Sequence, residues 1–341
     1  MIEFTSKGIY CREGDFFIDP WRPVEKAIIT HAHSDHARRG MESYLCTPVT
    51  AAVLKTRISP DIQVSEIEYG HSIRINGVKV SFHPAGHIPG SAQIRLERKG
   101  FVTVVSGDYK VQDDGISVPI EPLRCHEFVT ESTFGLPSFH WKPQEFLMVE
   151  IRRWWMSNIQ SGKNSVLIAY SLGKAQRLIK HLSHCGRIIV HGAIYSVNQA
   201  LINAGIIING CERISDIVDR KELKNVLVIA PPSAIGTPWL RRFHPYSLGV
   251  ASGWMAVRGI RRRRAADIGF VISDHADWSG LLDVIRQTEA TRIYVTHGYS
   301  DIFSRYLCEK GLEAIPVETR FSGESDESDS SEITPVDTES D

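Results

Sequence analysis

The segment Thr30-His31-Ala32-His33-Ser34-Asp35-His36 constrains the chain more than any other stretch. It follows the apolar run Ala27-Ile28-Ile29, so a β-strand ends by delivering four ligand-type side chains within six positions. In extended backbone, residues two apart face the same way. His31 and His33 can therefore grip one ion, while Asp35 and His36, beyond a bend, reach a second. Imidazoles and a carboxylate packed this closely suit a divalent cation. The plain alternative is a surface histidine cluster at a strand end.

The rest of the chain supplies a frame for such a strand end. Short β-rich runs at 2–5, 16–19, 27–30, 78–82, 94–96 and 101–106 are bounded by Gly, Pro and Asp turn signals. From about Lys142 the pattern alternates. A helical pattern runs through Trp154, then a strand at 166–170, a helix from Lys174, a strand at 188–191, a helix from Ser196 and a strand at 226–230. That rhythm predicts βαβ units on a parallel sheet. Two more strands, 268–273 and 292–296, are each followed by a helical segment. The expected fold class is α/β, with an α/β domain at 141–267 inserted into a β-rich domain formed by 1–140 and the returning segment 268–321.

Charge divides the chain in a second way. Residues 322–341 hold eight carboxylates and no Lys or Arg, leaving 39 basic against 32 acidic side chains in the body, a net of about +7. A basic body favours a polyanionic partner through counterion release. The tail is too poor in large apolar groups to offset its ordering entropy and is expected to be disordered, as a solvating terminus or an interaction tail. The six cysteines form no CxxC pair, which speaks against a disulfide framework and a thiolate zinc site and for reduced thiols in a cytoplasm. No apolar run approaches a membrane span and Met1-Ile2-Glu3-Phe4-Thr5 lacks signal-peptide regions, so neither secretion nor membrane insertion is expected.

The 31–36 segment resembles the HxHxDH signature of metallo-β-lactamase-fold hydrolases. Further motifs match in order: Asp19 closing Phe16-Phe17-Ile18, His87 in Pro84-Ala85-Gly86-His87-Ile88, and Asp108 in Val105-Ser106-Gly107-Asp108-Tyr109. Glu131 in Val129-Thr130-Glu131-Ser132-Thr133, His275 in Ser273-Asp274-His275-Ala276-Asp277 and His297 in Thr296-His297-Gly298 are similar to the later motifs of β-CASP nucleases. Together with Tyr170-Ser171-Leu172-Gly173-Lys174 and Ala251-Ser252-Gly253-Trp254, they look most like bacterial ligase-associated DNA exonucleases.

The resemblance implies an αββα metallo-β-lactamase sandwich with an inserted β-CASP domain and two divalent ions, Zn or Mn. One ion would be held by His31, His33, His87 and Asp108, the other by Asp35, His36, Asp108 and His297, with Asp108 as bridge. Asp35, Glu131 and His275 would be the catalytic side chains. His275 would protonate the leaving alkoxide, with Glu131 orienting its ring and Asp274 and Asp277 as rival partners for it. Asp19 and Asp277 would support the ligands from behind, although Asp277 also reads as a cap for a helix starting near Trp278. The implied activity is phosphodiester hydrolysis of DNA, an exonuclease of DNA repair, with a DNA ligase and a helicase as functional associates.

Other features leave the substrate open. Ser171, Gly173 and Lys174 lie where a strand meets a helix N-terminus, a place that suits a phosphate and is also an ordinary junction. Arg38-Arg39, Arg152-Arg153, Arg241-Arg242, Arg258 and residues 261–264 can track a nucleic-acid backbone or be solvated faces, and Trp141, Trp239 and Trp254 can stack bases or fill cores. A histidine at position 297 is usual in RNA-processing relatives, so a ribonuclease is the main rival. A small-molecule metallo-hydrolase and a nucleic-acid-binding protein on an inactive scaffold complete the alternatives.

Overall fold

The computed structural model describes residues 1–216, 223–259 and 266–321. The arginine run 261–264 and the acidic tail lie outside the described residues. The described residues divide into two compact units, 1–140 with 274–321, and 141–273.

The first unit opens with a six-stranded sheet in sequence order: β1 (Ile2–Phe4), β2 (Ile9–Cys11), β3 (Phe16–Ile18), β4 (Lys26–Ile28), β5 (Ser43–Cys46) and β6 (Val64–Glu66). Helix α1 (Pro48–Arg57) links the last two strands, with Thr47 capping it by accepting the Thr50 amide hydrogen. The chain continues through β7 (Ser72–Ile75), β8 (Val78–Pro84), β9 (Ala92–Arg98), β10 (Phe101–Val105) and β11 (Glu127–Glu131).

The second unit carries α2 (Gln144–Gln160), β12 (Asn164–Ile168), α3 (Lys174–Leu182), β13 (Ile188–Val190), α4 (Gly192–Asn203), β14 (Glu212–Arg213), β15 (Leu227–Ala230), α5 (Pro238–Arg241), β16 (Tyr246–Ala251) and β17 (Ile268–Phe270). Its sheet has the order β14-β13-β15-β12-β16-β17, with every pair parallel. β12, β13 and β15 are buried at every residue, which is why β13, β15 and the Val166–Ile168 part of β12 read as apolar runs rather than alternating ones. Sequence reading assigned the 268–273 strand to the returning segment. Instead β17 extends the second unit's sheet through Gly249↔Ile268, Val250↔Gly269 and Ala251↔Phe270, and this unit runs to Ser273. Three residues of IGF carry no signal for which sheet will pair with them.

The first unit resumes with α6 (Trp278–Thr288), β18 (Arg292–Thr296), α7 (Ser300–Glu309) and β19 (Glu313–Pro316). This completes a seven-stranded sheet in the order β19-β18-β11-β10-β9-β8-β7. Alternation along its strands separates two cores. Val105, Val129, Val80, Phe82 and Ile94 meet Ile9, Phe16, Ile18 and Ile28 of the first sheet, while Val104, Phe128, Ile293 and Val295 meet Leu281, Val284, Ile285, Phe303 and Leu307 of α6 and α7. Two sheets thus pack face to face, with helices over the far side of the second. This mixed α/β arrangement is compatible with a metallo-β-lactamase-like fold.

Candidate metal centre

Six strand ends of the first unit supply one buried polar cluster. β10, β11 and β18 are neighbouring parallel strands, and β8 points the same way because it is antiparallel to β9, which is antiparallel to β10. His87 lies past β8, Asp108 past β10, Glu131 ends β11, and His297 follows β18. In the first sheet β3 and β4 are parallel and lead to Asp19 and to the 31–36 segment. Ligands of such sheets gather beyond the carboxyl ends of the strands.

The ligand atoms of His31, His33, His87 and Asp108 lie within 4.8 Å of one another, and so do those of Asp35, His36 and His297. Asp108 lies against both groups. Its Oδ2 is 3.6 Å from His31 Nε2 and 3.4 Å from His36 Nε2, and its Oδ1 is 3.8 Å from His297 Nε2.

The outward ring nitrogens determine what the inward ones present. His87 Nδ1 is 2.7 Å from the Asp274 carbonyl, which can only accept, so the proton sits on Nδ1 and Nε2 carries a lone pair in the neutral ring. His36 Nδ1 is 2.7 Å from Asp19 Oδ2 and follows the same logic. The Thr30 hydroxyl donates to Asp19 Oδ2 (2.5 Å) and therefore accepts from His31 Nδ1 at 3.0 Å. Thr296 repeats this device: its hydroxyl donates to the Thr130 carbonyl at 3.0 Å and stands 3.2 Å from His297 Nδ1. Four Nε2 lone pairs thus face inward. His36 Nε2 and His297 Nε2 stand 3.2 Å apart, and His87 Nε2 stands 3.1 Å from His33 Nδ1. Among the described residues, His31 Nε2 and Asp108 Oδ1 are buried without a hydrogen-bond partner. Lone pairs aimed at one another across about 3 Å repel unless a proton or a cation lies between them, so these buried His and Asp clusters have the donor set of a divalent-metal site.

Electrostatics agree with that donor set. Burial depresses the pKa values of His31 and His87 far below the usual imidazole value and that of His297 less so, keeping these rings neutral. Burial also works against charge on His36, but Asp108, Asp35 and Asp19 outweigh it and lift its pKa well above the usual value. The positive charge those carboxylates demand can be met by a proton on His36 or by a cation among the lone pairs.

Two site residues carry backbone strain. Asp19 (φ 44°) and His297 (φ 57°) both adopt left-handed conformations that non-glycine residues enter at a cost of about 1–3 kcal/mol. Gly107 (φ 58°) is required on both counts, since a Cβ there would lie 2.6 Å from Thr30 Oγ1, inside the turn that delivers Asp108.

A second constellation adjoins the first. His275 Nδ1 lies 2.9 Å from both Glu131 oxygens, and Glu131 also accepts the amide hydrogens of Tyr109 (2.9 Å) and Thr133 (3.3 Å). Of the three rival carboxylates, Glu131 therefore holds this ring. Asp277 caps α6 by accepting the Gly280 amide hydrogen at 2.9 Å. Asp274 acts through its backbone carbonyl on His87, and its carboxylate lies 3.9 Å from Lys110 Nζ.

Ser171, Gly173 and Lys174 belong to the second unit. Gly173 (φ 96°) opens α3, but its amide already donates to Gln176 Oε1 at 2.7 Å, and Lys174 is buried. His191 caps α4 by accepting the Ala193 amide hydrogen.

Sequence reading missed Thr30, Thr296, Lys110 and Phe321. The first two had a signal, because a Thr-His dipeptide ends two separate strands. Lys110 had none: it is buried, donates to the His87 carbonyl at 3.0 Å and pairs with buried Asp114 at 2.5 Å.

No family model matches the chain. A probable DNA ligase from Opitutus terrae is 28% identical over 312 residues, which is 91% of this chain and 30% of that protein. Endoribonuclease YSH1 from Saccharomyces cerevisiae is 26% identical over 119 residues, 34% of this chain and 15% of the relative. The chain thus spans less than a third of either relative's length. Among solved structures, a protein of unknown function from Enterococcus faecalis V583 superposes with a TM-score of 0.58 at 10% identity, covering 87% of this chain and 80% of that one. That likeness is one of fold alone. Among the described residues, no helix is long and apolar enough to cross a membrane.

Proposed function

We propose that the chain is a β-CASP-type nuclease with a metallo-β-lactamase αββα sandwich, hydrolysing phosphodiester bonds of DNA with two divalent ions, Zn or Mn. The observation that carries this reading is the set of inward imidazole lone pairs around Asp108, whose Oδ2 is 3.4 Å from His36 Nε2 and whose Oδ1 is 3.8 Å from His297 Nε2. His31, His33, His87 and Asp108 would hold one ion, and Asp35, His36, Asp108 and His297 the other. Bound there, divalent ions lower the pKa of water and neutralise charge on a phosphoryl oxygen.

The chain's own residues do the rest. Asp19, Thr30, Thr296 and the Asp274 carbonyl fix the ring orientations. His275 delivers a proton from Nε2 to the departing alkoxide, while Glu131 holds Nδ1–H and stabilises the imidazolium. Asp35 works beside His36, its carboxyl kept below the ordinary range because His36 and neighbouring histidines outweigh the effect of burial.

Similarity along nearly the whole chain to a probable DNA ligase supports DNA as the substrate. An exonuclease role in repair, in the cytoplasm beside a ligase and a helicase, belongs to the same proposal and comes from the motif resemblance. Similarity to an endoribonuclease and the presence of His297 support a ribonuclease as the second reading. End-labelled single- and double-stranded DNA and RNA, followed over time with Mn or Zn, separate the two. The expected result is metal-dependent cutting of DNA that Asp108→Ala abolishes. RNA cut faster than matched DNA would favour the second reading, and wild-type rates in the variant would remove Asp108 from the centre.

A further inference from the structure

The two halves of the metal centre are supported differently. In the first, the rings of His31, His33 and His87 meet edge to face at 81–86° with centroids 4.8–4.9 Å apart, so each ring braces the others. In the second, His36 and His297 lie parallel at 4° with centroids 5.1 Å apart. Of these two, His36 also leans on the first group, 4.1 Å from the His31 ring at 42°, but parallel rings set side by side do not brace each other.

Phe321 is the ring that spans both. Its ring lies parallel to both imidazoles, 4.3 Å from His36 and 4.6 Å from His297, each at 2°. It is itself held on the edge of Trp21, 5.5 Å away at 86°, and Trp21 is anchored by its indole N–H donating to the Ser6 carbonyl at 2.8 Å. The chain reaches this position from β19: the Val317 amide hydrogen bonds the Val295 carbonyl at 2.8 Å, and the Arg320 carbonyl accepts from Arg38 Nη2 at 2.7 Å. Arg38 stands two residues after His36, so the same turn that presents the ligand also ties down the segment that covers it.

We propose that Phe321 is a positioning residue for the ion held by Asp35, His36 and His297, laid across both imidazoles so that their planes stay parallel and water is kept from one face. With Nδ1 of each ring fixed by Asp19 or Thr296 and one face covered, both Nε2 atoms converge before any ion arrives. The rings of the other ion's site brace one another edge to face and meet this pair through the single contact of His31 with His36. This inference rests on the two-ion reading.

Metal titration of the full chain separates the possibilities. Calorimetry with Mn or Zn on the wild type is expected to give two equivalents. Phe321→Ala is expected to leave the first unchanged and weaken the second by about tenfold. Phe321→Tyr, which keeps the ring, is expected to restore it, and in the Mn protein the spin-coupled signal of a metal pair is expected to fade in the alanine variant alone. Equal binding of both equivalents in Phe321→Ala and wild type would overturn the proposal, as would equal weakening of both. A wild type that takes up fewer than two equivalents would overturn the two-ion reading as well.

Discussion

The strand ends around Asp108 and the strand–helix junction at Ser171–Lys174 look alike in sequence, each a polar stretch after an apolar strand, yet they differ in what their polar atoms face. At the junction the Gly173 amide donates to Gln176 Oε1, and Gln176 Nε2 donates to the Ser171 carbonyl at 2.8 Å and to Asn198 Oδ1 at 2.8 Å. These groups answer one another. Around Asp108 the outward nitrogens of His31, His36, His87 and His297 face oxygens, while the inward ones crowd one another and the Asp108 carboxylate. Like donor atoms crowded together in a buried place point to a cation, because buried polar atoms otherwise pair with groups of complementary kind.

Substitution at the second constellation is the strongest way to break this contrast. His275→Ala and Glu131→Gln are each expected to slow cleavage by about 10²–10⁴-fold while leaving metal content intact, read by single-turnover rates beside elemental analysis. Loss of metal together with rate would instead make these residues ligands.

Next in size is Lys110, whose buried ammonium faces Asp114 at 2.5 Å and Asp274 at 3.9 Å. Lys110→Met takes a buried ammonium away from both carboxylates and is expected to cost about 3–5 kcal/mol in denaturant unfolding. A cost below about 1 kcal/mol would put this pair in the class of exposed ion pairs.

A pH titration sharpens the comparison from the side of the core. Burial pushes the Cys46 and Cys125 thiols up, Cys125 to about 12. Above about pH 8.5 the unfolded chain releases thiol protons that the fold retains, so it binds fewer protons and stability falls as pH rises. The slope approaches about 1.4 kcal/mol per pH unit for each such thiol. Serine at both positions is expected to flatten that slope in alkaline unfolding curves.

The smallest effect is expected at the self-satisfied junction. Lys174→Met is expected to raise KM by at most about fivefold with metal content unchanged, the range of a single charge at a helix N-terminus. A loss of a hundredfold would make the junction a principal contact for the substrate.

Much of the site was legible because its residues come in local motifs. Positions 31–36 declared themselves, and the resemblance supplied Asp19, His87, Asp108, Glu131, His275 and His297, all of which the fold brings to one cluster. Strand β11, which ends in Glu131, carried no clear pattern of its own. It is five residues long, buried at every position and acidic at both ends, so neither alternation nor an apolar run marks it. Helix α4 begins at Gly192 rather than near Ser196, because His191 does the capping and histidine is an uncommon cap. The pairing of β17 with β16 and the stacking of Phe321 on His36 and His297 join residues whose local sequence says nothing of their partner.

Anomalous diffraction from crystals of the protein soaked with Mn or Zn tests the central claim most directly. Two peaks are expected, one against His31, His33 and His87 and the other against Asp35, His36 and His297, with Asp108 touching both. A single peak, or density away from these side chains, would contradict it.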